Sequence, residues 1–338
     1  MIRPPVREFI FGDNRPFASC HASTVLPLSG GEVLAAWFGG SHEGHGDVAI
    51  WLSRRSRSRW EPPVCVASEP GLPHWNPVLC RSPAGRLHLF YKAGKNVPSW
   101  ETRVVSSTDG GRTWSDARTL PSIEGFPPGP VKDKPIIASD GSWIAGTSRE
   151  TADTWDAAVS ISRDDGESWS LGGVVPLDHG SFSGKGVIQP TLWETPTGSM
   201  HMLLRSTAGR IYRSDSSDGG ASFSEAIATE LPNNNSGIDL EKLPDGRLAL
   251  CYNPVCENWG KRTPLVLSFS RDDGLSWGDT VVLEDEDGLA PASGLTLDVP
   301  HRPNEFSYPA VVPSAGILHV TYTWKRERIC YRRVPVAG

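Results

Sequence analysis

The chain has 338 residues, 38% hydrophobic and 21% charged, the composition of an ordinary soluble globular protein. Its formal net charge is -6, with no basic block or acidic tail, which argues against nucleic acid and anionic membranes as partners. No stretch reaches the ~20 apolar residues of a membrane span, and "MIRPPVREFIFGDNRPF" lacks the apolar core of a signal peptide, so a cytoplasmic location is expected.

The first β-rich run is "VREFIFG", which stands alone before any repeat. From "STVLPL" onward the chain cycles through one order of elements. A short run ("STVLPL", "NPVLC", "KPIIAS", "QPTLWE", "IDLEKL", "YPAVVP") is followed by a Gly-containing turn and a second apolar run ("EVLAAWF", "RLHLFY", "SWIAGTS", "MHMLLR", "RLALCY", "ILHVTYTW"). A variable loop leads to a third strand, and a polar turn to a fourth. That turn repeats as "SSTDGGRTW", "SRDDGESW", "SSDGGASF" and "SRDDGLSW", with its aromatic at Trp114, Trp169, Phe223 and Trp277. The step of about 54 residues suits a four-stranded blade, and extrapolation reaches Trp60 backwards and the neighbourhood of Tyr331 forwards. Six units result. Alternating β-branched residues between Gly, Asp and Pro punctuation exclude a helical reading. The predicted architecture is all-β: one six-bladed β-propeller domain over residues 1–338, its ring closed by the N-terminal run, which leaves no open sheet edge.

Within the repeated turn, Asp can accept bonds from the turn's own N–H groups and Gly can adopt positive φ, so the phrase reads as a structural clip. Six cysteines (Cys20, Cys65, Cys80, Cys251, Cys256, Cys330) form no CxxC pair and read as reduced thiols. His42 and His45 flank Glu43 in "GGSHEGHGD", which is not the helical HExxH of a metal site. No metal and no cofactor is expected, and Asp47, which ends that loop, reads as structural.

Inner strands of a propeller start at one mouth of the central channel, and the loops between second and third strands open there too. Strand starts bring His21, Asn76, Lys134, Gln189, Asn235, Asp239 and Tyr308 to that mouth; the loops bring Glu43, Lys95, Arg149, Arg205, Asn253, Arg262 and Arg326. Convergent guanidiniums suit bidentate binding of a carboxylate. Glu43, on a Gly-rich loop where burial under substrate would raise its pKa, is a candidate general acid. His21 titrates near neutrality when unperturbed. The catalytic candidates are therefore His21, Glu43 and Tyr308, and the remaining polar residues are candidate substrate ligands for an oligosaccharide or glycoconjugate.

The four boxes, the six units and the inner-strand pattern together resemble the sialidase superfamily, the BNR or Asp-box propellers, over nearly the whole chain. That resemblance implies a carboxylate held by three arginines, an acidic loop residue as acid/base, and a Tyr nucleophile activated by a Glu. Arg205 in "LLRST" looks like the second arginine, Arg262 is similar in placement to the third, Glu43 occupies the catalytic loop, and Tyr308 in "FSYPAVV" resembles the nucleophile. Two departures stand out: His21 in "CHAST" replaces the first arginine, and the fifth inner strand offers Asn235 and Asp239 where the Glu is expected. The function implied is exo-acting hydrolysis of a terminal acidic sugar. The resemblance extends to propellers that act on rhamnose–glucuronate linkages, some as lyases in which His21 or Tyr308, helped by Arg205 and Lys134, would take the C5 proton. A non-catalytic glycan-binding propeller is the third possibility.

Overall fold

The computed structural model describes residues 6–285 and 305–336. Strand β1 (Val6–Phe9) leaves its sequence neighbours and pairs with the last strand. Blade one holds β2 (Ser19–Pro27), β3 (Val33–Gly40), β4 (Ala49–Ser56) and β5 (Arg59–Trp60), with β6 (Val64–Ala67) also paired to β4. Blade two holds β7 (His74–Arg81), β8 (Leu87–Ala93), β9 (Glu101–Ser107) and β10 (Arg118–Leu120). Blade three is β11 (Ile136–Ile137), β12 (Trp143–Glu150), β13 (Trp155–Ser162) and β14 (Ser170–Val174). Blade four is β15 (Val187–Glu194), β16 (Met200–Ser206), β17 (Arg210–Ser216) and β18 (Ile227–Pro232). Blade five is β19 (Asp239–Lys242), β20 (Leu248–Tyr252), β21 (Leu265–Ser270) and β22 (Gly278–Glu284). Blade six is β23 (Phe306–Ser314), β24 (Ile317–Trp324) and β25 (Arg328–Pro335), completed by β1.

The fold is the expected six-bladed propeller. Its closure runs antiparallel, from Val6 opposite Arg333 to Phe9 opposite Cys330. Glu8 clamps Arg55 of blade one through two bonds of 2.8 Å, so the closing strand also ties the first blade to the last.

Each repeated turn joins a third strand to a fourth, as predicted. In the second blade Asp109 accepts from the N–H groups of Arg112 (2.9 Å) and Thr113 (3.0 Å), while Ser107 Oγ accepts from Gly111 N–H at 2.8 Å. Gly111 has φ of 83°, which any Cβ would strain, and the same region is used at Gly166, Gly220 and Gly274. The aromatic pins blades rather than strands. Trp169 of blade three meets Phe90 of blade two edge-on, with centroids 5.8 Å apart. Trp60, the degenerate copy, meets Tyr331 of blade six at 5.2 Å.

A second repeat was invisible in the sequence. Ala22, Asn76, Gln189, Asn235 and Tyr308 all have φ between 44° and 60°, and the register slips at this point in β2, β7, β15 and β23. Four are β-bulges at the start of an inner strand, Asn235 takes the same backbone just before β19, and three of the five precede a proline, which fits a bulge where no ladder N–H is required. Left-handed backbone at a residue as bulky as Tyr costs about 1–3 kcal/mol and re-aims its side chain. The bulges turn Gln189, Asn235 and Tyr308 together into the mouth.

Candidate active site

Tyr308 lies at the centre of the mouth. Arg205, from the end of β16, is 3% exposed and donates to three oxygens: Nη1 to Tyr308 Oη (2.5 Å), Nη1 to Gln189 Oε1 (3.0 Å) and Nε to Asn235 Oδ1 (2.7 Å). Its guanidinium carbon lies 5.6 Å from the Trp155 ring, 5.9 Å from that of Trp259 and 5.5 Å from that of Tyr308. Three residues in left-handed backbone and three aromatic faces fix one cation, a pre-organised arrangement of the kind that bidentate recognition needs.

Beside it, Glu305 organises two more arginines. Its Oε1 accepts from Arg262 Nη1 at 2.6 Å, from Arg326 Nε at 3.0 Å and from Ser307 Oγ at 2.7 Å. Burial alone would raise this carboxyl, but Arg262 and Arg326 outweigh it and hold it at about 2. Arg326 sits in left-handed backbone (φ 59°) and extends its other edge to Glu43 Oε2 at 2.7 Å. Glu43 therefore stands exposed at the rim in an ion pair. Asp47 closes its loop through the Ser41 N–H and hydroxyl and His45, the structural part expected of it.

His21 completes the group. It is 1% exposed, its Nδ1 lies 2.8 Å from Thr323 Oγ1, and its ring is 4.2 Å from that of Tyr308. Burial first, then the charges of Arg326, Arg262, Arg205 and Lys132, push its pKa well below the usual histidine value, so it is neutral at pH 7. Three buried nitrogens around Tyr308 have no hydrogen-bond partner among the described residues: His21 Nε2, Asn235 Nδ2 and Arg262 Nε. Asn235 Nδ2 and Arg262 Nε are donors, and an unmet buried donor costs about 1–3 kcal/mol, so an oxygen-rich anion is a ligand that would satisfy them.

Four of the residues expected at the mouth are engaged in other contacts. Lys134 bonds Asp239 (3.1 Å) and Glu241 (3.0 Å) and lines a hollow of about 480 Å³ at the strand-end opening, opposite the mouth. Asp239 is a strut: its Oδ2 accepts the Val311 N–H at 2.7 Å, joining blades five and six. Asn253 donates to the carbonyls of Pro264 (2.8 Å) and Phe306 (2.9 Å) and is buried as a brace. Arg149 fails by parity. Side chains alternate along β12, and the inward one is its neighbour Glu150, which is 8% exposed and interacts with Gln189 and Arg205. The same kind of slip affects blade two: Lys95 is exposed, while fully buried Lys92 stands opposite Trp75 as Arg205 stands opposite Ile188. Burial lowers Lys92 to about 7 against the pull of Glu150.

Glu305, Glu150, Lys92, Trp155 and Trp259 were missed in the sequence. Glu305 directly precedes β23, so the strand-start rule applied one residue earlier would have found it. Among the described residues no group of three His, Cys, Asp or Glu side chains is arranged to hold a metal, and no helix is long and apolar enough to cross a membrane. All six cysteines are free.

The BNR repeat-like domain family matches residues 31–320. The anhydrosialidase of Macrobdella decora is 22% identical over 263 residues, which cover 72% of this chain and 33% of that protein. The chain thus spans about a third of that relative's length. Among solved structures, a protein of unknown function from Dyadobacter fermentans superposes with a TM-score of 0.76 at 16% identity, with 99% of both chains covered. A Hadza microbial sialidase gives 0.77 at 14% identity, over 98% of this chain and 68% of that one. At these identities the structural likeness is one of fold.

Proposed function

The chain belongs to the BNR repeat-like domain family, and from that premise we propose that it is a sialidase-like glycoside hydrolase removing a terminal acidic sugar from a glycan. The observation that carries this reading is the convergence of Arg205 and Arg262 on Tyr308, with Arg326 joined to Arg262 through Glu305 and buried donors left unmet around them. The sugar carboxylate is bound by the guanidinium edges that Glu305 does not use. The indoles of Trp155 and Trp259 wall the site and supply apolar faces for the ring.

In this mechanism Tyr308 Oη attacks the anomeric carbon as neutral His21, whose ring is 4.2 Å away, takes the phenolic proton, which returns to Tyr308 when water cleaves the glycosyl–tyrosine bond. Arg205, already donating to that oxygen, stabilises the negative charge on it, a contact made before the reaction and needing no rearrangement. Glu43, at the rim, protonates the leaving oxygen and then takes a proton from the incoming water. The substrate carboxylate competes with Glu43 for Arg326, so binding frees the Glu43 carboxylate to take from solvent the proton that it passes to the leaving oxygen.

One observation favours a second reading. Neutral His21, with Nε2 unpartnered among the described residues and its ring 4.2 Å from Tyr308, has the properties of a base for C5 proton abstraction in a lyase. Mass spectrometry of products from a panel of acidic glycans separates the two. Hydrolysis adds water, and Glu43→Gln then costs ~10²-fold or more on poor leaving groups but far less on activated aryl glycosides. An unsaturated uronate that vanishes in His21→Ala supports elimination and overturns hydrolysis. Binding without any product leaves a non-catalytic glycan-binding propeller.

A further inference from the structure

Blade three departs from its neighbours where its inner strand begins. The other five blades place a left-handed residue there: Ala22, Asn76, Gln189, Asn235 or Tyr308. In blade three the residue before the proline is Lys134, which does not adopt positive φ, and the inner strand β11 is two residues long. The chain ahead of it, "GPVKDKP", instead sends Lys132 across the channel. That side chain is 3% exposed. Its ammonium donates to Asp133 Oδ1 (2.6 Å), to the Ile238 carbonyl at the entry to blade five (2.6 Å) and to the Pro309 carbonyl of blade six (2.8 Å).

Both carbonyls adjoin groups that hold Arg205. Pro309 follows Tyr308 inside the stretch where the register of β23 slips, between Ser307 and Ala310, and Ile238 lies three residues after Asn235. Tyr308 Oη and Asn235 Oδ1 each accept a bond from Arg205. Gly237 runs so close to the lysine stem and the phenol ring that a Cβ there would come within 2.9 Å of Lys132 Cε and 3.2 Å of Tyr308 Cγ. The three N–H groups of the ammonium are all spent on the protein, so Lys132 has none left for a substrate. Desolvation cancels much of the stability that a buried Lys–Asp pair could give, so its place here is better explained by the geometry it fixes. We propose that Lys132 is a positioning residue of the active site: by pinning the Ile238 and Pro309 carbonyls from the opposite side of the channel, it holds Tyr308 and Asn235 in the strained backbone that aims them at Arg205. The proposal rests on the reading of Tyr308 as the nucleophile. Left-handed backbone at a tyrosine persists only where its surroundings over-determine it, and two charge-assisted bonds from one ammonium supply that constraint.

Lys132→Met keeps the stem and removes the ammonium, and Lys132→Met/Asp133→Asn avoids leaving a buried carboxylate unpaired. The first measurement needs no turnover. The chain has six tyrosines, so fluorotyrosine labelling gives a fluorine NMR spectrum in which the Tyr308 line is assigned by Tyr308→Phe. In the double variant that line should shift or broaden while those of Tyr212 and Tyr331, on outer strands, stay in place. An unmoved Tyr308 line, or a shift of all the lines together, overturns the clamp whatever reaction the chain performs. The second measurement is kinetic. A misplaced nucleophile slows the chemical step, so kcat should fall about 10²-fold on an acidic glycan and on its activated aryl glycoside alike, with KM changed less than about threefold. Full kcat in the folded fraction at a lowered melting temperature overturns the proposal, because Lys132 then serves stability alone. Wild-type activity in Tyr308→Phe would instead remove the nucleophile reading, and the fluorine spectrum would still decide whether Lys132 positions that ring.

Discussion

Arg205 has no freedom to be replaced by another cation. Its three bonds leave from two nitrogens of a planar fork, to Tyr308, Gln189 and Asn235. Lysine keeps the charge but presents a single nitrogen, so Arg205→Lys should weaken binding of an acidic substrate about tenfold or more. Titration calorimetry with an acidic monosaccharide measures this, and unaltered affinity would remove Arg205 from carboxylate recognition. Legibility in the sequence divides at this scale. Arg205 was found because "MHMLLR" ends its strand in the right parity. Arg149 and Glu150 are adjacent letters of "TSRE", and which of them faces the channel depends on the register of β12, which no local signal states. His21 lies beside Tyr308, but its neutrality was not legible, because it follows from burial and from cations that arrive from four other blades.

The repeated turns show the opposite case. Everything that makes the box is within nine residues, so its structure could be read in full from its letters. The Asp218 and Asp272 carboxylates sit at about 2, held first by the hydroxyls of Ser222 and Ser276 and then by backbone N–H groups. Folded pKa values below the unfolded ones give stability that is present above the ordinary Asp range and lost as pH falls towards 2. Thermal melts of Asp272→Ala should lie below the wild type at pH 7 and converge with it as the pH approaches 2, while kcat/KM of the folded fraction holds. A catalytic loss at unchanged melting temperature would make the box part of the site. By contrast, the bulge repeat escaped notice because it is written in φ rather than in a letter: Ala, Asn, Gln, Asn and Tyr occupy it.

For the whole molecule, closure is the feature on which the ring depends. Deleting residues 1–9 removes β1, leaves the β25 edge unpaired, and takes away the Glu8 clamp on Arg55. The truncated chain should melt several degrees lower and self-associate as its concentration rises, since an open edge pairs with whatever strand it meets. Light scattering and thermal melts check this, and a monomer of unchanged stability would show that the ring closes by packing alone. The six-fold count was legible because the period of the boxes extrapolates to both ends. The far opening of the channel, with Lys134, Asp239 and Glu241, was not, because a strand's first residues and its middle look alike in sequence.

The same closure has a mechanical side. Val6 stands opposite Arg333 in an antiparallel pair, so the strand ends nearest the two termini are neighbours on one blade. A load applied between the termini pulls those strands apart crosswise, and their hydrogen bonds meet the force one after another rather than all at once. The ring that resists heat through six interlocked blades would then yield to tension like a zipper, starting at its seam. A tether attached instead to a repeated turn on an opposite blade would have to break whole sheets together.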